Sequence, residues 1–176
     1  MRCIDRTLLL RLTIENFKRG FAMAEDLIRE RVIHAVLERQ RVKYGNRTFL
    51  YFKNKEFSYN DFSHAADQVA CGLQKMGITK GNKVAILLDN CPEYLFLWFG
   101  LSKLGAIEVP INTAHKGDLL TYMLDRSDAR MLITDSKYLD RVEPILVNTP
   151  KIELIVVLET LGKGIPKLPK PILDWA

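Results

Sequence analysis

Cysteine is scarce in this sequence, and long apolar runs are absent from it. The three cysteines, Cys3, Cys71 and Cys91, are odd in number and widely spaced, with no C-x-x-C pair and no histidine at metal-ligand spacing. This pattern predicts free thiols in a reducing compartment and excludes a disulfide-stapled secreted fold. The longest apolar run covers residues 94–101, far short of the ~20 residues that a membrane-spanning helix needs.

The composition is otherwise that of an ordinary globular protein. Hydrophobic residues make up 48% of the 176 residues and charged residues 27%, which excludes collagenous and low-complexity classes. The net charge of +5 is concentrated at one end, because residues 1–55 hold 13 basic and 6 acidic side chains. Such a stretch could meet nucleic acid or an anionic membrane surface. Acids alternate with bases along it, however, and this favours a solvated helix face.

Residues 1–22 are basic but do not match a targeting signal. They lack the apolar core and cleavage site of a secretory signal, and acids interrupt the pattern of a transit peptide, so the resemblance to a presequence is weak. Met23 opens the stretch MAEDLIRERV, which is a plausible natural start. We therefore expect residues 1–22 to be a basic extension, unstructured or upstream of the natural start, and the protein to be cytoplasmic.

Hydrophobic periodicity predicts an α/β fold, in which an N-terminal helix and a β-hairpin precede strand-helix repeats on a mostly parallel sheet. Apolar residues at spacings of three and four predict an amphipathic helix over residues 25–44, ended by Gly45. Short β-branched and aromatic runs at 48–53 and 56–59 predict a hairpin with Asn54-Lys55 at its turn.

The second helix is expected to begin at a variant capping box and to run to Met76. Ser58 supplies the capping hydroxyl, and Asp61 stands where the usual box has Glu or Gln. Gly77 then provides a left-handed cap. Strands are predicted at 84–88, 107–109, 130–134 and 152–158, and helices at 92–104, 116–127 and 136–147.

The last stretch predicts a connection. Residues 161–171 are rich in Gly, Pro and Lys and can sustain neither a helix nor a central strand. Residues 172–176 then have no predicted element to pack on. The expected organisation is therefore an extension (1–22), a partial domain (23–160) and a truncated connection (161–176).

Open α/β sheets bind ligands beyond the carboxyl ends of their strands, so the turns after Leu88, Val109 and Thr134 are the places to search. None of these turns has the sequence of a phosphate loop. The stretches Gly72–Gly77 and Gly100–Gly105 match the outer glycines of G-x-x-x-x-G, but no Lys-Ser/Thr follows, and both lie in predicted helices.

Isolated polar residues point to no reaction. His34, His64 and His115 have no carboxylate or thiol at the spacing of a ligand or base, which predicts surface or otherwise satisfied histidines. Ser102 and Cys91 lack a nearby base and the strand-turn-helix setting of a nucleophile. The sequence therefore assigns no catalytic, cofactor-binding or metal-ligating residue.

Three aromatic residues could be mistaken for a cofactor wall. Phe96, Trp98 and Phe99 fall at helical spacing between two predicted strands. That placement predicts that they pack largely against the parallel sheet and a neighbouring helix, with Trp98 in the core.

Three collinear stretches resemble the N-terminal region of the AMP-forming acyl-CoA synthetases, a family that also contains firefly luciferase and peptide-synthetase adenylation domains. They are residues 57–62 (FSYNDF), 77–93 (GITKGNKVAILLDNCPE) and 98–112 (WFGLSKLGAIEVPIN). The segment 87–112 looks most like the crotonobetaine/carnitine-CoA ligase branch. Asn82 stands where family members usually carry Asp, a change that still suits a turn.

The resemblance implies activation of a carboxylic acid by ATP and Mg²⁺ to an acyl-adenylate, with loss of pyrophosphate, followed by thioester formation with coenzyme A. The implied substrate is a small or medium acid, of carnitine type first and a fatty acid second. The family's phosphate loop, its aromatic-Gly-x-Thr-Glu motif, its ribose-binding Asp and its catalytic Lys all lie downstream and are absent from these residues.

We therefore expect an N-terminal fragment of such a ligase that is inactive alone, binds no cofactor tightly, contacts no nucleic acid and partners the rest of the synthetase. The alternative is a free-standing, non-catalytic α/β module that binds a partner or small ligand. The sequence leaves the activated acid and the oligomeric state open.

Overall fold

The computed structural model describes residues 31–158 and 168–175 of the chain. In chain order the elements are α1 (Ile33–Tyr44), β1 (Thr48–Phe52), β2 (Lys55–Ser58), α2 (Tyr59–Lys75), β3 (Lys83–Leu87), α3 (Pro92–Leu104), β4 (Ile107–Pro110), α4 (Gly117–Ser127), β5 (Met131–Asp135), a 3₁₀ turn (Ser136–Tyr138), α5 (Leu139–Val142), a second 3₁₀ helix (Glu143–Asn148), β6 (Leu154–Leu158) and β7 (Ile172–Asp174).

Five parallel strands form one sheet in the order β4-β3-β5-β6-β7, and β1 and β2 form a separate antiparallel hairpin. The chain passes from β3 outward to β4, then returns beyond β3 to β5 and continues outward. The winding direction therefore reverses between β3 and β5. Right-handed crossovers place α3 on one face of the sheet and α4 and α5 on the other, which confirms the predicted α/β class.

The side chains of the central strands alternate between two cores. Leu87 packs with Leu120 of α4 on one face, whereas Ile86 packs with Leu97 of α3 on the other. Burying each such side chain stabilises the fold by roughly 1.5–3 kcal/mol. A third, smaller cluster fastens α1 and the hairpin to α2 and α3, and its buried members are Leu37, Phe62 and Phe96.

The first helix is shorter than its apolar pattern predicts. It ends at Tyr44 as expected, where Gly45 has a φ of 46° and donates its N–H to the Arg41 carbonyl at 2.8 Å. The predicted start of the helix was wrong within the described residues, because Val32 is extended and α1 starts at Ile33. No side-chain cap marks this start, so the periodic pattern runs past it; residues 25–30 lie outside the described part.

The predicted hairpin exists, but its turn is displaced by one residue. Phe52 pairs with Lys55, so the turn is Lys53-Asn54, and Lys53 has a positive φ of 52°. An irregularity between Thr48 and Leu50 shifts the register of the pair, which turn composition alone does not reveal.

The capping box at the start of α2 is confirmed. Ser58 Oγ accepts a hydrogen bond from the Asp61 N–H at 3.1 Å, and the Asp61 carboxylate accepts one from the Ser58 N–H at 3.0 Å. At the other end, Gly77 has a φ of 83° and the Ile78 N–H donates to the Leu73 carbonyl. Aspartate therefore serves here in place of the usual Glu or Gln.

The single helix predicted over 136–147 is wrong. The segment contains only one α-helical turn, α5, flanked by the two 3₁₀ stretches. Pro144 has no N–H to donate and its ring crowds the preceding turn, so an α-helix cannot continue through it.

The C-terminal residues do have an element to pack on, contrary to the sequence-based expectation. β7 pairs in parallel with β6, and the Trp175 N–H donates to the Val157 carbonyl at 2.9 Å. Three residues are too few to show a strand pattern, and the outer edge of β6 selects this pairing. Most of the Gly- and Pro-rich stretch lies within residues 159–167, which are outside the described residues.

Within residues 31–158 and 168–175, none of the helices has the length and apolar character that crossing a membrane requires.

Candidate functional site

The carboxyl ends of β3 and β5 lie side by side where the winding of the sheet reverses. In open α/β sheets this is the position at which ligands bind. Asp89 lies just after β3. Asp135 is the last residue of β5, and Lys137 lies just beyond it. The turns identified from the sequence therefore do meet, and they bring charged side chains together at one edge.

Asp89 is the centre of this charged group. Its carboxylate accepts a hydrogen bond from the Tyr138 hydroxyl at 2.6 Å and lies 2.7 Å from Lys137 Nζ. Lys137 also approaches Asp135 at 3.5 Å. The hydrogen bond from Lys137, followed by that from Tyr138, holds the pKa of Asp89 below its usual value, and the same contact raises the pKa of Lys137.

An open cleft of about 660 Å³ lies beside this group, between the turns that follow β3 and β4. Two hydrogen bonds hold the turn after β4 that lines it: Asn112 Oδ1 accepts from the Ala114 N–H at 2.8 Å, and Arg141 donates to the Thr113 carbonyl at 2.7 Å. The lining combines amide, hydroxyl and carboxylate groups with apolar side chains: Leu88, Asp89, Asn90, Tyr94, Pro110, Ile111, Asn112 and Thr113.

A smaller apolar pocket of about 240 Å³ adjoins this cleft through Asn90 and Tyr94. It is lined by the hairpin, through Leu50 and Phe52, and by the start of α3, including Cys91. Burial raises the pKa of the Cys91 thiol to about 11. The thiolate is therefore scarce at neutral pH.

Tyr94 joins the cleft to a half-buried acid on the edge strand. Burial, reinforced by the hydrogen bond to Glu108, raises the pKa of Tyr94. Burial also raises the pKa of Glu108 itself, while the hydrogen bond from Tyr94 opposes that rise. No local sequence pattern indicates this pair, because Tyr94 lies on α3 and Glu108 on β4.

Ser102 has a base within reach, contrary to the sequence-based expectation. His34 Nδ1 lies 3.0 Å from Ser102 Oγ, where α1 crosses α3. Burial, and then the nearby charge of Lys103, lower the pKa of His34. Ser102 nevertheless lies inside a helix, whose backbone N–H groups are already bonded, so no oxyanion donors face it. The contact joins α1 to α3.

The other two histidines differ from each other. His64 is exposed, as predicted. His115 is half-buried in the turn after β4, and its Nδ1 atom is buried without a hydrogen-bond partner among the described residues. The prediction of a surface or satisfied histidine is therefore wrong for this atom.

The two glycine pairs that mimic a phosphate loop have structural roles. Gly72 and Gly100 lie inside α2 and α3, and Gly105 caps α3 in the left-handed conformation. A Cβ atom at Gly100 would lie 2.8 Å from Val69 Cγ1, so glycine lets the two helices approach closely. This role was not predicted, although the small residues Ala66 and Ala70 of α2 lie at the same crossing and are visible in the sequence.

The prediction of a buried Trp98 is wrong. Its side chain is 43% exposed and contacts the Phe99 ring, whereas Phe96 is buried. Phe96 and Phe99 pack edge-on against Phe62 of α2 and not against the parallel sheet. Helical spacing placed all three on one helix, but only the position of α1 and the hairpin decides which of them is covered.

The cleft does not fit a nucleotide triphosphate or Mg²⁺. No group of three or more metal-ligating side chains occurs in the described ranges 31–158 and 168–175. The carboxylates nearest the cleft, Asp89 and Asp135, are engaged by Lys137 and would repel phosphates. The arrangement offers polar groups that can hydrogen-bond to a ligand.

Comparison with known proteins identifies relatives that are much longer than this chain. A crotonobetaine/carnitine–CoA ligase of Salmonella paratyphi A is 39% identical over 100 residues, which are 54% of this chain and 19% of that protein. The chain thus spans about a fifth of the curated relatives it matches.

Solved structures agree with this result. An anthranilate CoA ligase in complex with anthranoyl-AMP superposes with a TM-score of 0.67 and 35% identity, over 70% of this chain and 24% of that chain. A putative long-chain-fatty-acid CoA ligase from Rhodopseudomonas palustris has a TM-score of 0.71 at 23% identity, over 81% of this chain and 35% of that chain, and so shares the fold. The AMP-binding enzyme family matches residues 37–170. The chain belongs to the AMP-binding enzyme family.

Proposed function

We propose that this chain is the N-terminal portion of an ATP-dependent acid–CoA ligase. The intact enzyme would convert a carboxylic acid and ATP into an acyl-adenylate and pyrophosphate, and would then transfer the acyl group to the thiol of coenzyme A. The observation that carries the proposal is the match of residues 37–170 to the AMP-binding enzyme family.

By itself the chain is proposed to be inactive. Phosphoryl and adenylyl transfer require cations and backbone donors that neutralise the phosphate oxygens. In the charged group around Asp89 the cation, Lys137, is already paired with Asp89 and Asp135, and the sequence contains no Ser/Thr/Gly-rich phosphate loop. ATP, Mg²⁺ and coenzyme A would therefore bind residues of the intact enzyme that lie outside this sequence.

A groove beside the sheet supports the proposal that the remainder of the synthetase is the partner of this chain. It has a volume of about 540 Å³ and lies between α2 and the β6–β7 end of the sheet. Val69, Met76, Val156 and Trp175 give it an apolar lining. Helices cover both faces of a parallel sheet in complete α/β domains, so a helix of the remaining chain is the proposed occupant.

The proposed organisation keeps residues 1–22 as an extension, 23–160 as a partial N-terminal domain and 161–176 as a connection. A cytoplasmic location is part of the same proposal. The proposed substrate of the intact enzyme is an acid of the carnitine type, with a fatty acid as the second choice. The 39% identity to a crotonobetaine/carnitine–CoA ligase supports the first choice.

Pyrophosphate release tests the proposal. The DNA downstream of codon 176 is expected to encode the phosphate loop, and the product of the longer reading frame is then assayed with carnitine, crotonobetaine and fatty acids of increasing length. Acid-dependent release by the longer product, and none by the 176-residue chain, is the expected result. Strict preference for long fatty acids would reject the carnitine-type substrate.

Release of pyrophosphate by neither product would reject the proposed ligase function itself.

Size-exclusion chromatography with a hydrophobic dye distinguishes the fragment hypothesis from that of a free-standing binding module. A fragment with an uncovered groove binds the dye. A monodisperse, dye-silent monomer contradicts the fragment and favours the module.

A further inference from the structure

We propose that a basic, aromatic surface formed by α1, the hairpin and α3 binds the interface of an anionic phospholipid bilayer. We call it the basic aromatic face and define it by Val36, Lys43, Phe49, Tyr51, Lys53 and Trp98. It lies outside the cleft around Asp89, and the proposed ligase chemistry does not use it.

The charge of this region is mainly positive. Residues 31–58, which span α1 and the hairpin, contain seven basic side chains and two acids, Glu38 and Glu56, the latter opposite Tyr51. Glu38 is already occupied, since Arg41 approaches it at 2.8 Å and Lys103 at 3.0 Å. The alternation of acids and bases that favoured a solvated helix therefore does not extend into the described part of α1. The positive charge is complementary to the headgroups of anionic lipids.

Apolar side chains lie within the same region and are exposed. Val36, Phe49 and Phe99 line one shallow cavity of about 180 Å³. Trp98 extends this surface through its contact with Phe99. Tyr51 lies two residues beyond Phe49 on β1 and is 68% exposed. The patch is therefore continuous across three elements.

This combination matches the chemistry of a membrane interface. Trp and Tyr rings partition to the headgroup level, where one end of the ring is apolar and the other is hydrated. Basic side chains near an anionic surface add an attraction that weakens as salt rises. A nucleic acid would use the same charges, but the exposed aliphatic side chain of Val36 favours hydrocarbon over a phosphate backbone.

Vesicle co-sedimentation of the 176-residue chain tests the proposal. Binding is expected to vesicles of phosphatidylcholine with about three-tenths phosphatidylglycerol, to weaken as salt rises, and to be absent with phosphatidylcholine alone. Trp98 fluorescence is expected to shift to the blue on binding. The shift should disappear in Trp98→Phe, which retains Trp175 as an internal reference.

Two charge-reversal pairs locate the surface. Lys43→Glu with Lys53→Glu is expected to weaken vesicle binding more than about tenfold. Lys75→Glu with Lys116→Glu makes the same change of net charge away from the face and is expected to leave binding within about twofold. Tyr51→Ser, at an exposed position, should also weaken vesicle binding. This variant tests the surface independently if a charge-reversal variant fails to fold.

Equal losses in the two pairs would overturn the proposal, because net charge alone would then explain binding. Equal binding to neutral vesicles would overturn it as well. Tighter binding to duplex DNA than to anionic vesicles would overturn it too, because the ligand of this surface would then be a nucleic acid and not a lipid. These readouts do not involve pyrophosphate release, so the surface and the proposed ligase function can fail independently.

Discussion

His34 Nδ1 and Ser102 Oγ lie 3.0 Å apart and join α1 to α3. The contact belongs to a polar group between three helices, in which Lys103 bridges Glu38 at 3.0 Å and Asp67 at 2.6 Å. Because α1 otherwise contributes only Leu37 as a fully buried side chain, this polar group is a substantial part of what attaches it.

The attachment of α1 is expected to weaken in mild acid. Burial and the charge of Lys103 lower the pKa of His34 below its ordinary value of 6.5. The unfolded chain then takes up the proton first as pH falls, so the free energy of unfolding declines from pH 6.5 down to the lowered pKa. Urea midpoints measured across this range check the prediction.

His34→Gln should flatten that decline, and His64→Gln, at an exposed position, serves as the matched control. An identical decline in His34→Gln and the parent chain would show that another group is responsible.

The crossing of α2 and α3 depends on Gly100. A Cβ atom there would lie 2.8 Å from Val69 Cγ1 and 3.2 Å from the Ala66 carbonyl oxygen, so Gly100→Ala is expected to destabilise by about 1–3 kcal/mol. Gly72→Ala is the control, because its nearest neighbour, Met76 Cε, is 4.0 Å away. That variant should gain about 0.5–1 kcal/mol from helix propensity. Denaturant midpoints of the two variants should therefore move in opposite directions.

Truncation of Trp98 should cost less than truncation of its neighbour. Trp98 is 43% exposed, whereas Leu97 is fully buried against the sheet. We expect Leu97→Ala to cost about 2–5 kcal/mol and Trp98→Ala roughly 1 kcal/mol, since a large part of the Trp98 side chain already contacts water. Equal losses in the two urea titrations would mean that Trp98 belongs to the core after all.

The hydrogen bond between Tyr138 and Asp89 should stabilise the carboxyl edge of the sheet modestly. Tyr138→Phe removes the donor at 2.6 Å and is expected to cost about 0.5–1.5 kcal/mol. Asp89→Asn should cost a similar amount and also release Lys137, whose side chain is partly exposed. A double-mutant cycle measures the coupling. Additive losses would show that the two residues act independently.

Local hydrogen bonding explains which elements were predictable. The bounds of α3 follow from Pro92, which starts the helix, and from Gly105, whose left-handed conformation ends it. Ser58 and Asp61 mark the start of α2 for the same reason. In each case the residues that satisfy the helix terminus are neighbours in sequence, so their types are visible without a structure.

The candidate site was predictable only as a location. The crossover rule fixes the handedness of the strand connections, and the turns after the strands could be named in advance. The partners of Asp89 could not, because Lys137 and Tyr138 lie almost fifty residues further along the chain. Nothing in the local pattern records which two turns meet.

The sequence by itself determined the α/β class, the helix caps and the membership of the AMP-binding enzyme family, since each depends on short-range patterns of residue type. The tertiary structure decided the exposure of Trp98, the contact between His34 and Ser102, and the addition of β7 to the sheet. These features depend on the packing of elements distant in sequence, where burial and backbone pairing outweigh local propensity.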